Sequence, residues 1–103
     1  MTTRSELDVK LPTLPEGYFW FLAVTRESGT GTPRIATLSI GHRDIDPLLG
    51  SPVVSRELDI NAADPNWAIT RAIDVLHSQF IRTLRWQRAI DELHELARAA
   101  RED

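Results

Sequence analysis

From Asp64 to Asp103 the chain runs forty residues with no glycine, and with no proline after Pro65. This stretch constrains everything before it. The Asp64 carboxylate can accept from backbone N–H groups of a first helical turn, and Pro65 suits the first helical position, where a missing donor costs nothing. No comparable stop signal follows. The spacing therefore predicts a helix over 64–102, on the order of 55 Å long at ~1.5 Å rise per residue. A compact domain of ~100 residues has a radius of gyration of only about 13 Å. Such a helix must overhang its domain, meet another chain, or fold back.

Its apolar pattern changes face halfway. Ile69, Ile73, Leu76, Phe80 and Leu84 follow helical spacing and form one stripe. Trp86, Ile90, Leu93, Ala97 and Ala100 form a second, centred a quarter-turn or more away at ~100° per residue. One flat surface cannot bury both. Either the first half packs on the body of the domain while the second meets a partner, or the helix bends near 83–88 into a hairpin. The absence of Gly, Pro, Asn and Asp between Gln79 and Ile90 favours the first arrangement. The second stripe keeps three-four spacing for about two heptads, which suggests helix pairing.

The residues before the helix read as a sheet. Leu7, Val9 and Leu11 alternate with polar residues as a short edge strand would, and LPTLPEG is an extended connector ending in a turn at Glu16-Gly17. Tyr18 to Arg26 is a strand apolar on both faces, with Tyr18, Trp20, Leu22 and Val24 on one side and Phe19, Phe21 and Ala23 on the other. Both faces want cover, and the second set is expected under the N-terminal segment or against a second subunit. Glu27 to Pro33 reads as a hairpin loop. It lacks the spacing and following helix of a phosphate cradle. Arg34 to Ile40 returns as a strand ended by Gly41, and Val53 to Ile60 is a third strand with Val54, Leu58 and Ile60 facing in. The expected fold is α+β: an antiparallel meander of three strands, or four with the Leu7–Leu11 segment, packed on a long C-terminal helix. One domain spans 1–103, with an extended segment at 1–16 and the sheet at 17–60.

Composition narrows the chemistry. The chain has no cysteine, which removes thiolate metal sites and cysteine nucleophiles and fits a reducing compartment. No apolar run approaches the ~20 residues of a membrane span, and MTTRSELDVK lacks a signal-peptide core, so a cytoplasmic protein without membrane contact is expected. The formal net charge is −3 and is spread evenly along the chain, which argues against a basic nucleic-acid domain without excluding a local patch.

His42, Asp44 and Asp46 alternate, so an extended segment could turn all three toward one cation. An exposed loop with Asp46 opening an Asp-Pro turn explains the same residues more simply, and neither metal nor cofactor is expected. Arg71, Arg82, Arg85 and Arg88 lie roughly opposite the first stripe, and with Trp86 they could grip a nucleic-acid backbone. A solvated face is the plainer reading, with Asp74, Asp91 and Glu92 pairing Arg71 and Arg88 at spacing three or four. Trp67 is expected to close the end of the sheet core. Nothing pairs Ser or Thr with His and a carboxylate, so no acyl-transfer enzyme is expected.

The run LPTLPEGYFWFLAVTRE resembles the opening of small uncharacterised proteins of actinobacteriophages, in which a Leu-Pro repeat and Glu-Gly precede an aromatic strand. The resemblance covers about a fifth of the chain. It implies a viral accessory protein acting in the cytoplasm of the bacterial host, and it carries no functional residue over. The combined expectation is a non-enzymatic protein that binds other proteins: a homo-oligomer, most simply a homodimer, with a host bacterial protein as a further partner. Its interface residues would be Trp86, Ile90, Leu93, Ala97, Phe19 and Phe21. The alternative is a nucleic-acid-binding module using the four arginines.

Overall fold

The computed structural model describes residues 7–44 and 52–102. Three strands and one helix follow in order: β1 (Tyr18–Arg26), β2 (Pro33–His42), β3 (Val54–Glu57) and α1 (Pro65–Glu102). The strands form one antiparallel sheet in the order β1-β2-β3, and α1 packs on one face of it, which makes the fold α+β. The radius of gyration is 18.4 Å and the longest extent 69 Å. Both exceed what ~100 residues reach in a compact shape, because the helix outruns its sheet.

The hairpin loop between β1 and β2 closes as its sequence asks. Glu27 N–H donates to the Thr32 carbonyl (2.8 Å) and Gly31 N–H to the Glu27 carbonyl (3.1 Å). Gly29 and Gly31 supply positive φ at 90° and 71°, a region side chains with a Cβ avoid. Register then sets the two faces. Tyr18, Trp20, Leu22 and Val24 lie opposite His42, Ile40, Leu38 and Ala36, while Phe19 and Phe21 lie opposite Gly41 and Ser39. Because successive side chains alternate, the first set shares the helix-covered face. Its core joins Leu38, Ile40 and Val54 to Ile73, Leu76 and Phe80, with Leu84 and Ile69 packed at its margin. Tyr18 meets Phe80 edge-to-face at 4.9 Å.

Several expectations change. No strand forms over 7–15, because this segment spends its polar groups on other partners. Asp8 N–H donates to Asn66 Oδ1 (2.8 Å), and the Pro12 carbonyl accepts from Trp20 Nε1–H (3.0 Å). Val9 and Leu14 pack against the core. The segment thus covers the Trp20 side of β1 beside α1, and not the Phe19–Phe21 side. A strand apolar on both faces reads as a central one, yet β1 lies at the sheet edge and β2 is central. β2 continues through Gly41 to His42, because Phe19 and Phe21 lean over the glycine: a Cβ there would sit 3.1 Å from Phe21 and 3.2 Å from Phe19. β3 is shorter than its apolar pattern suggests. It leaves Ile60 exposed, as Asp59 turns the chain by accepting from Asn61 N–H on Oδ1 (3.1 Å) and from Ala62 N–H on its carbonyl (3.2 Å).

The helix opens where its cap predicts. Asp64 accepts from Trp67 N–H through Oδ1 (3.3 Å) and from Ala68 N–H through its carbonyl (3.1 Å). It continues unbroken through 83–88. There Thr83 Oγ1–H donates to the Gln79 carbonyl (2.9 Å), a bond that accommodates slight curvature and no turn.

Candidate interaction surface

The buried residues of α1 are Ala72, Ile73, Leu76 and Phe80, all within its first half. From Arg85 to Glu102 every side chain is exposed. The second stripe is therefore bare: Trp86 is 66% exposed, Ile90 43% and Leu93 63%, and Ala97 is exposed beside them. Leu96, at 68%, widens the stripe on one flank and is absent from the sequence-based interface. Its signal was present, since it stands three residues after Leu93 and four before Ala100. Four large apolar side chains on five turns of unsupported helix form a contiguous patch, unlike scattered surface leucines that need no explanation.

Phe19 and Phe21 stand on the sheet face turned away from α1, their ring centroids 5.8 Å apart. Phe21 is half-buried and Phe19 38% exposed, and Ile35, exposed on β2 opposite Thr25, shares this face. The structure does not merge this face with the helical stripe. The six expected interface residues thus fall on two surfaces, one on each side of the sheet layer.

The arginines also divide. Arg71 sits over the Trp67 ring, 6.0 Å from its centroid, and Trp67 itself is exposed instead of closing the core. Arg82 is eleven residues further on, about 16 Å along the axis. Arg82, Arg85 and Arg88 follow at spacing three, which turns each by about 60° around the helix. The expected pairing with nearby acids does not form. Asp91 instead accepts from Gln87 Nε2 (3.1 Å). Among the described residues the ion pairs between permanently charged groups are Arg98 with Glu95 and Arg43 with Glu16, so Arg82, Arg85 and Arg88 point free charge at solvent.

His42 closes the end of the β1–β2 hairpin. Its ring lies edge-on to Tyr18 at 4.6 Å, and its Nδ1 accepts from Asp44 N–H (3.2 Å). Nε2 faces Gly17, where a Cβ would come within 2.7 Å. Both ring nitrogens are thereby turned to local structure. Asp44 Oδ2 is 3.6 Å from Nδ1, Asp46 lies outside the described residues, and among those described no three His, Asp or Glu side chains gather to hold a metal. No helix among them is long and apolar enough to cross a membrane.

No protein-family model, no curated protein and no solved structure matches this chain. The surface chemistry therefore carries the functional reading.

Proposed function

We propose that the chain is a non-enzymatic interaction protein that pairs with a second copy of itself through the C-terminal half of α1. In this reading it is a phage-type accessory protein of the bacterial cytoplasm, and the sheet face bearing Phe19 and Phe21 is left to bind a host protein. The observation that carries the pairing is Trp86, two-thirds exposed at the point where the helix leaves its sheet. Large aromatics of this kind anchor interfaces when a partner desolvates them. Light scattering across a concentration series tests it. A mass that rises toward the dimer, and falls back on Trp86→Asp or Leu93→Asp, supports the proposal; a monomer mass at every concentration defeats it.

The free charges of Arg82, Arg85 and Arg88 favour a second reading, a nucleic-acid-binding module. That module would bind DNA or RNA at low salt, lose affinity steeply as salt rises, and weaken on Arg82→Glu and Arg85→Glu. Absence of binding at low salt removes it.

A further inference from the structure

The order of side-chain sizes along the exposed stripe sets the direction in which two copies pair. Resting on the self-association proposed above, we infer that the two helices run antiparallel, centred between Asp91 and Glu92. The stripe is tapered. It begins with Trp86, passes through Ile90 and Leu93, and ends in Ala97 and Ala100. A parallel pair would stack Trp86 on the partner's Trp86 and Ala97 on the partner's Ala97, giving a wide layer at one end and a narrow one at the other. Helices hold a nearly constant spacing of 8–10 Å only when facing layers fill similar volumes. The antiparallel pair levels them: Trp86 faces the partner's Ala97, and Ile90 faces the partner's Leu93.

The flanks sort the same way. Beside the stripe, Ala89 and Leu96 lie on one side and Gln87 and His94 on the other. Antiparallel helices bring like flanks together, so Leu96 covers the partner's Ala89 while Gln87 meets the partner's His94. A parallel pair would set Leu96 against the partner's Arg101 and Ala89 against the partner's His94. Only the antiparallel direction keeps apolar with apolar. Two copies of Trp86, Ile90, Leu93 and Leu96 offer on the order of 1,000 Å² between them, about the least that a specific interface buries.

The chain has no cysteine, so a single introduced thiol can carry a nitroxide label without background. Ser78→Cys and Glu92→Cys place labels at equivalent outward positions two heptads apart, both exposed. Pulsed dipolar spectroscopy on each full-length variant then reads the distance between copies. The antiparallel pair gives about 40 Å at position 78 and about 20 Å or less at position 92, from ~1.5 Å rise per residue and the 8–10 Å helix spacing. Distances of about 20 Å or less at both positions reject the antiparallel direction while keeping the pairing. No dipolar coupling at either position, with circular dichroism of both variants unchanged, overturns the pairing itself.

Discussion

The two halves of α1 are similar in length and apolar content but differ in what their apolar side chains meet. From Pro65 to Leu84 the stripe lies on a sheet that supplies Leu38, Ile40 and Val54, so Leu76 and Phe80 lose all contact with water. From Arg85 to Glu102 the stripe has rotated off that face and the sheet has ended, so Trp86 and Leu93 stay wet. Helix formation in an isolated segment of this length is marginal, and tertiary packing supplies most helical stability. The second half therefore borrows its order from the first, and the comparison can be broken by mutating each half in turn.

The largest effect is expected at the centre of the first half. Phe80→Ala removes a fully buried ring that touches Tyr18 at 4.9 Å, and should cost about 3–5 kcal/mol in urea denaturation. Against a total stability of ~5–15 kcal/mol, that change alone can unfold the chain. A cost below about 1 kcal/mol would mean that the helix does not depend on the sheet.

Gly17→Ala is expected to rank second, because it strikes the turn that leads into β1. Tyr18 N–H donates to the Pro15 carbonyl (3.1 Å) across this turn, and Gly17 holds φ at +92°. A side chain pays about 1–2 kcal/mol for that conformation, and the new Cβ would also collide with the His42 ring. Denaturation should report a loss of at least that size, and NMR should show the His42 ring resonances shifted. An unshifted His42 would argue against the ring's place over Gly17.

Much of this layout was legible before any coordinates. Helix signals at Asp64-Pro65, β-rich runs at Tyr18–Arg26 and Arg34–Ile40, and glycines at 29 and 31 are local codes, and each element appeared within a few residues of its expected bounds. The features that differed depend on tertiary partners. Leu7–Leu11 alternates as a strand would, yet Asn66, distant in sequence, captures the Asp8 N–H, and Trp20 holds the Pro12 carbonyl just beyond it. Trp67 looks like core, but it is exposed and its ring lies under Arg71. Arg88 had acids at the right spacing, while Gln87 reached Asp91 first. At the candidate surface, the stripe's change of face was readable from periodicity alone. So was its full width, since Leu96 stands three residues after Leu93 and four before Ala100, although the sequence-based interface leaves it out.

Asp64→Ala tests whether the two halves are one cooperative unit. It removes the side-chain bond to Trp67 N–H and should cost about 1 kcal/mol. If the second half draws its order from the first, helical signal across the whole of α1 falls in one transition with the sheet. A separate, earlier loss of about half the helical signal would divide α1 into two independent segments.

The smallest expected effect on the single chain comes from its most exposed aromatic. Trp86→Ala deletes more surface than Phe80→Ala, yet at concentrations low enough to keep the chain monomeric it should shift stability by no more than about 0.5 kcal/mol, since Trp86 is mostly exposed and stands outside the core. At high concentration the same substitution should matter, because anything that binds only the folded chain adds stability by mass action. The wild-type denaturation midpoint should then rise with protein concentration and the variant's should not. Identical curves for the two proteins at every concentration would leave Trp86 without an interface role, and the second half of α1 would lack the partner that its stripe implies.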